Sequence, residues 1–254
     1  NYDILLDFIN SNNIELVFIA LHGGEGENGS LQFFLEENSI QYTGSDSSAS
    51  KIAINKNLTK RICSDNYLPT PKWNSLDLSK DSLNLPKLLQ KYDNSCVVKP
   101  TSDGSSIGMS IIFDHLNEQV LERAINKCKE VSDNIIIEEY IGGRELTVSL
   151  IDGIALPVVE IFPKGKFYDY NSKYTTGQSK YEVPAKLSFE LESEIIEYAE
   201  NLYELVGCDH YARVDFILDK NDEAYILELN TLPGLTETSL FPKAYHEEFK
   251  DYNN

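Results

Sequence analysis

The first quarter of the chain alternates between helical periodicity and short apolar runs. Apolar positions at helical spacing predict a helix over residues 1–13, and the continuous run Leu16–Leu21 predicts a buried strand. A glycine-rich loop follows, and then an amphipathic helix through Leu31, Phe34 and Leu35. A strand, a loop and a helix in this order form one unit of an α/β sheet.

The next part of the chain predicts a long helix and then a break. Residues 47–63 have the pattern of one helix, which carries Lys56, Lys60 and Arg61. Pro69 and Pro71 then exclude a helix and favour extended backbone.

Beyond residue 84, strands and helices alternate in a different way. We predict helices over residues 85–92, 116–131 and 190–206. We predict strands over residues 96–100, 110–113, 135–140, 145–151, 155–161, 211–218 and 223–230. Paired strands with helices between them are typical of an α+β region rather than of continued α/β winding. The chain opens on a helix and ends in a polar stretch for which we predict no closing helix, so we expect it to be a fragment.

Composition narrows the class of protein. The chain has 254 residues, with 22 Lys and Arg against 41 Asp and Glu, which gives a net charge of −19. Such an excess of carboxylates argues against a nucleic-acid partner. The sequence has no apolar run long enough for a membrane span, and its four cysteines and four histidines are scattered. We therefore expect a cytoplasmic protein with free, buried thiols and no zinc site.

One glycine motif matches a known fingerprint but is unfavourable in charge. Gly24, Gly26 and Gly29 match the dinucleotide-binding spacing between a strand and a helix. Glu25 and Glu27 would lie where a pyrophosphate approaches, and like charges there oppose binding. We interpret the loop as one that turns the backbone over another kind of ligand.

Two other groups of residues indicate phosphate and metal chemistry. Lys99 ends a predicted strand and precedes a glycine-rich turn, a combination that suits a phosphate but also occurs as a plain surface feature. Glu228 and Asn230 lie on one face of a strand, and Asp215 would join them if the last two strands pair. Their oxygen atoms suit Mg²⁺, although each residue alone could be a solvated strand end.

Six segments, taken in order, resemble the D-alanine–D-alanine ligase family of the ATP-grasp superfamily. They are LHGGEGENGSLQFFLE, YTGSDSSASKIAINKNLTK, VVKPTSDGSSIGMS, FYDYNSKY, ARVDF and LELNTLPGLTETSLFPK. The resemblance implies an ATP-grasp fold, mixed α/β and α+β, with a partial N-terminal α/β domain at residues 1–55. A central subdomain would follow at 56–142 and a C-terminal subdomain at 143–254.

The resemblance also implies how ATP and metal are bound. Lys56 and Lys99 would contact the phosphates, and Glu138, Ile141 and Glu145 would hold the adenine and ribose, with Phe167 packed on the base. The ligands of Mg²⁺ or Mn²⁺, with two ions expected, would be Asp215, Glu228 and Asn230.

The reaction implied is ATP-dependent joining of two D-alanines through an acyl phosphate, for peptidoglycan synthesis. The residues implied for substrates and catalysis are Arg213, Gly234, Ser239, Leu240, Lys173, Tyr174, Ser105 and His22. Arg213 and the Gly234 N–H would stabilise the oxyanion. Ser239, Leu240 and Lys173 would hold the second alanine, and His22 would lie near the first. Tyr174 would lie on a loop that closes over the site and would form a hydrogen bond with Ser105 in the closed state. A tyrosine at this position favours the dipeptide product over D-alanyl-D-lactate.

Two departures from the family keep alternatives open. The glycine-rich opening of the family, with its glutamate for the first D-alanine, is not found, and the segment Asp209–Tyr211 stands where a glycine is common. The alternatives are a nucleotide-binding protein without turnover and a ligase that uses another acceptor, such as D-serine. Members of this family are commonly homodimers, and we expect a homodimer here.

Overall fold

The computed structural model describes residues 2–21, 23–93, 95–102, 107–113, 116–163 and 179–250. Within these ranges the strands form a parallel pair, a four-stranded sheet and a six-stranded sheet. Helix and sheet are mixed as predicted. The two larger sheets consist of antiparallel pairs.

The first unit is a small α/β layer. Its elements are helix α1 (Tyr2–Ser11), strand β1 (Leu16–Val17), a 3₁₀ turn (Gly24–Gly26), helix α2 (Ser30–Glu37) and strand β2 (Gln41–Tyr42). The predicted buried strand over Leu16–Leu21 is wrong in most of its length. Only two residues pair, and Leu16 and Phe18 are 55% and 58% exposed, whereas Ile19 is buried. Among the described residues β1 pairs with β2 alone, and Ile19 lies in a core cluster with Ile9 of α1 and with Leu31 and Leu35 of α2.

Two helices replace the single helix predicted over residues 47–63. Helix α3 covers Ser47–Ile54 and helix α4 covers Lys56–Asp65. Asn55 between them is extended, and its side-chain oxygen accepts hydrogen bonds from the N–H groups of Asn57 and Leu58 at 3.1 and 3.2 Å. Asparagine favours this N-cap geometry over a helix interior, so it ends one helix and begins the next.

The four-stranded sheet has the order β3–β6–β4–β5. Its strands are β3 (Trp73–Asp77), β4 (Cys96–Pro100), β5 (Ser110–Ile112) and β6 (Asn134–Glu139), and helices α5 (Leu85–Leu89) and α6 (Glu118–Lys129) accompany them. Strand β4 is buried along its whole length. The core between this sheet and its two helices includes Leu88, Val98, Leu121, Ile125 and Ile137.

The six-stranded sheet has the order β10–β9–β7–β11–β12, and β8 pairs with β7. Its strands are β7 (Gly143–Ile151), β8 (Ile154–Ala155), β9 (Val159–Pro163), β10 (Ser179–Glu182), β11 (Tyr211–Asp219) and β12 (Ala224–Asn230). The strand predicted over residues 155–161 is split between β8 and β9 around Pro157, which has no N–H for a ladder. Helix α7 (Phe189–Val206) packs on one face of this sheet, starting at the capping hydroxyl of Ser188 and ending at the left-handed Gly207.

A helix closes the described part of the chain, contrary to the prediction from the sequence. Helix α8 covers Leu240–Glu248 and buries Leu240, Phe241 and Ala244, of which Leu240 and Ala244 share a core cluster with residues of β9. Pro242 lies in the first turn of this helix, where a missing N–H costs no helical hydrogen bond.

The segment before β11 joins the small unit to the large sheet. The Asp209 N–H donates to the Ser45 hydroxyl at 3.0 Å, and the Tyr211 hydroxyl lies 3.2 Å from that of Thr43. His210 has a φ of 56°, the left-handed conformation that glycine adopts most easily, and its Nδ1 lies 3.3 Å from the backbone nitrogen of Gly44. The departure noted in the sequence is thus accommodated by strain at one residue.

Candidate active site

Strands β11 and β12 bring the predicted metal ligands together. In their antiparallel register Asp215 lies opposite Glu228, and Arg213 lies opposite Asn230. The register shifts after Asp215, as at a β-bulge, a feature often found next to active sites. The pairing assumed from the sequence is confirmed, and metal binding by these residues remains a prediction.

Four hydrogen bonds hold the carboxylate of Asp215. Oδ1 accepts from the Thr147 hydroxyl at 2.6 Å and from Arg213 Nε at 2.8 Å. Oδ2 accepts from Arg213 Nη2 at 2.8 Å and from Asn230 Nδ2 at 3.2 Å. The two-pronged contact with Arg213 fixes the plane of the guanidinium as well as that of the carboxylate.

Lys56 links the N-terminus of α4 to this group. Its Nζ lies 3.4 Å from Glu228 Oε2, and its backbone N–H donates to the Thr101 carbonyl at 2.8 Å. The side chain is largely buried. Lys56 and Arg213 therefore place positive charge against the two neighbouring carboxylates of Glu228 and Asp215.

Glu138 on β6 is a buried carboxylate between two lysines. Its Oε1 lies 2.5 Å from Lys99 Nζ and its Oε2 lies 2.9 Å from Lys60 Nζ. Burial raises the pKa of a carboxyl group, but the charges of Lys60 and Lys99 outweigh burial and hold the pKa of Glu138 below its ordinary value. Burial lowers the pKa of Lys60, and the negative charge of Glu138 opposes that effect.

The two clusters are joined through α4. Lys56 and Lys60 are four residues apart, so they project from one side of the helix. Lys56 contacts Glu228 of the large sheet, and Lys60 contacts Glu138 of the four-stranded sheet. Helix α4 therefore supplies one lysine to each of the two charged groups, one on each sheet.

The other described candidates lie around these two groups. Glu145 lies on the same face of β7 as Thr147, two residues before it, and Ile141 lies between β6 and β7. Gly234 lies against Ser239, whose hydroxyl would be 2.7 Å from an added Cβ. That hydroxyl also lies 2.8 Å from the Thr236 hydroxyl, and Leu240 follows as the first residue of α8.

Five predicted site residues lie outside the described ranges. They are His22, Ser105, Phe167, Lys173 and Tyr174.

Sequence reasoning missed two residues of the site. Thr147 contacts Asp215, and Lys60 contacts Glu138. Two signals pointed to them: Lys60 lies one helical turn after Lys56, and Thr147 shares a strand face with Glu145. Nothing in the sequence alone showed that either side chain would be buried.

Three further features of the described residues concern metal clusters, thiols and membrane helices. Within the described ranges, no cluster of three His, Cys, Asp or Glu residues is placed to hold a metal, and the cysteines are free. Burial raises the pKa of the Cys63, Cys96 and Cys208 thiols to about 12. None of the described helices has the length and apolar character needed to cross a membrane.

Comparison with known proteins shows a consistent set of relatives. A family model described as "D-ala D-ala ligase C-terminus" matches residues 62–254. The D-alanine–D-alanine ligase of Carboxydothermus hydrogenoformans is 40% identical over 247 residues, which is 94% of this chain and 78% of the relative. That of Aquifex aeolicus is 40% identical over 238 residues, 93% of this chain and 78% of the relative.

Solved structures agree in fold. The crystal structure of D-alanine–D-alanine ligase from Bacillus anthracis complexed with ATP matches with a TM-score of 0.82 and 32% identity. The match covers 95% of this chain and 77% of that one.

Proposed function

The chain belongs to the D-alanine–D-alanine ligase family of ATP-grasp enzymes, and we propose that it joins two D-alanines at the expense of ATP with the residues described above. The observation that carries the proposal is that one helix, α4, supplies a lysine to each of two charged groups, Lys56 to the group with Glu228 and Asp215 and Lys60 to the group with Glu138 and Lys99. Together the two groups offer cations for phosphates, oxygen ligands for metal and a buried acceptor for the base.

The nucleotide occupies the space between the two larger sheets. Lys56 and Lys99 bind its phosphates, Lys56 from beside Glu228 and Lys99 from beside Glu138. Glu138 accepts from the adenine amino group and the backbone of Ile141 reads the ring edge. Glu145 accepts from the ribose hydroxyls.

The residues present fit Mg²⁺ or Mn²⁺. Asp215, Glu228 and Asn230 supply only hard oxygen donors, and two of them are opposed across one strand pair. Together they would hold the metal, two ions in our proposal, which neutralises charge on the transferred phosphoryl group. Lys56 and Arg213, which face these carboxylates, keep the group compact before metal binds.

Arg213 and Gly234 stabilise the oxyanion that forms when the acyl carbon is attacked. The carboxylate of the first D-alanine attacks the γ-phosphorus, and ADP leaves. The amine of the second D-alanine then attacks the acyl carbon, the tetrahedral oxyanion collapses, phosphate leaves and the amine loses a proton. The Arg213 guanidinium, held by Asp215, and the Gly234 N–H donate to that oxyanion.

The start of α8 selects the second substrate. Ser239 and the Leu240 N–H bind the carboxylate of the accepting D-alanine, because unpaired N–H groups at a helix start favour an anion. From the family resemblance, Lys173, Tyr174, Ser105, His22 and Phe167 complete the site. We place the reaction in the cytoplasm, as a step of peptidoglycan synthesis by a homodimer.

The test measures ADP formed from ATP in the presence of Mg²⁺. Three reactions are compared, one with D-alanine, one with L-alanine and one with neither. We expect release that depends on D-alanine, with D-alanyl-D-alanine identified by mass spectrometry. ADP release that D-alanine does not change, with ATP still bound, would refute the proposed reaction.

A pair of variants tests the catalytic role of Arg213. Arg213→Lys keeps the charge but loses the two-pronged contact, and we expect a fall in kcat of about 10²–10³-fold. Arg144→Lys is the matched control, because Arg144 makes the same kind of contact with Glu160, at 2.8 and 2.6 Å, on the same sheet. Equal losses of kcat in both variants would contradict the role given to Arg213.

A further inference from the structure

Lys60 is among the most completely buried large side chains of the described residues. Only 1% of it is exposed. Its ammonium lies 2.9 Å from Glu138 Oε2, donates to the Thr70 hydroxyl at 2.8 Å and to the Pro71 carbonyl at 3.4 Å, and lies 5.7 Å from the centre of the Trp73 ring. These contacts surround the ammonium on several sides and hold it in place.

Lys99 is held differently. Among the described residues its ammonium pairs with Glu138 Oε1, and its side chain is 10% exposed. One buried carboxylate therefore has one firmly anchored cation and one that a stronger anion could attract. Taking a buried carboxylate's last countercharge away is costly, because water cannot replace it.

We propose that Lys60 is a positioning residue, the fixed countercharge that keeps Glu138 ionised and in place while Lys99 turns from Glu138 to the phosphates of ATP. This inference rests on the proposed function. Without Lys60, Lys99 is the one cation left beside Glu138 among the described residues, and it stays there. The cost then appears as weaker nucleotide binding rather than as weaker binding of D-alanine.

A second contact, with Thr70, explains why Lys60 stays in place while Lys99 moves. Thr70, which accepts from Lys60, itself donates to the Ile226 carbonyl on β12 at 2.8 Å. Lys60 is thus tied to the large sheet through Thr70 and to the four-stranded sheet through Glu138. Lys99 has no such second tie among the described residues.

The experiment is a double-mutant cycle on the full chain, with the dissociation constant of Mg²⁺–ADP measured by calorimetry. Lys60→Met removes the charge at similar length, and Glu138→Gln removes the carboxylate charge. We expect Lys60→Met to raise the dissociation constant about tenfold or more when Glu138 is present and by less than about twofold in the Glu138→Gln background. Lys51→Met, at an exposed lysine of the neighbouring helix, is the matched control and should bind like the unchanged chain.

Two further measurements separate this role from a structural one. In Lys60→Met, kcat/KM for ATP should fall at low pH where that of the unchanged chain does not, because the pKa of Glu138 rises, while KM for D-alanine stays the same. Thr70→Val keeps the charge but loosens Lys60, and it serves in the same cycle if Lys60→Met does not fold.

The outcomes distinguish the two levels of inference. Equal losses with and without the Glu138 charge, or nucleotide binding by Lys60→Met equal to that of the unchanged chain, would overturn the role of Lys60 alone. If the unchanged chain binds no Mg²⁺–ADP, the proposed nucleotide site itself falls.

Discussion

Thr147 offers the sharpest test of how the metal ligands are held. Its side chain is fully buried, and its hydroxyl lies 2.6 Å from Asp215 Oδ1 and 3.1 Å from the Val214 carbonyl. Thr147→Val replaces the hydroxyl with a methyl group of similar size. Asp215 then keeps Arg213 and Asn230 but loses one of its four hydrogen bonds.

The size of the effect follows from the charge on Asp215. A hydrogen bond to a charged group contributes about 1.5–3 kcal/mol, and about 1.4 kcal/mol corresponds to a tenfold change in an equilibrium constant. Only part of this free energy is lost from metal binding, because Arg213 still orients the carboxylate of Asp215. We expect Thr147→Val to weaken Mn²⁺ binding about tenfold, at the lower end of the range for partners of metal ligands.

The measurement is calorimetric titration of Mn²⁺ in the presence of a non-hydrolysable ATP analogue. Thr147→Ser restores the hydroxyl and should bind Mn²⁺ like the unchanged chain. Ser149→Ala is the matched control, because Ser149 lies two residues further along β7, is fully buried, and its hydroxyl has no hydrogen-bond partner among the described residues. Unchanged Mn²⁺ affinity in Thr147→Val, or an equal loss in Thr147→Ser, would refute the reasoning.

Three further predictions concern the helix break, the substrate loop and the thiols. Asn55→Ala removes the cap of α4 and should lower the free energy of unfolding by about 0.5–2 kcal/mol in denaturant titrations, whereas Asn66→Ala should cost less. Gly234→Ala forces a Cβ to within 2.7 Å of the Ser239 hydroxyl, so KM for the accepting D-alanine should rise about 10–100-fold while KM for ATP does not. With pKa values raised to about 12, Cys63 and Cys96 should react with a thiol reagent at pH 8 only as fast as the chain unfolds. These folded pKa values exceed the unfolded value of about 8.5, so the folded state binds more protons and loses stability as the pH rises above 8.5. Rapid labelling of the folded chain would contradict the burial.

The sequence predicted most of the larger elements because their patterns are long. The periodicity of α6 and α7 and the apolar runs of β4 and β6 extend over enough residues to outweigh local exceptions. Pairing Asp215 with Glu228 needed only the alternation of two neighbouring strands.

The errors came from single residues whose effect depends on context. Asn55 split a helix through a side-chain cap, and Pro242 allowed a helix because it fell in the first turn. Neither outcome follows from periodicity alone. The ion pair of Lys60 with Glu138 joins residues far apart in the sequence, and so does the contact of Thr147 with Asp215.

Helix α4 has a consequence for how length changes in this part of the chain are tolerated. Lys56 and Lys60 reach two different sheets from one side of the helix because four residues make slightly more than one turn. One inserted or deleted residue between them would rotate the second lysine by about 100° and withdraw it from Glu138. Substitutions at positions 57 to 59 change local packing, whereas a change of length there would uncouple the base end of the site from its metal end.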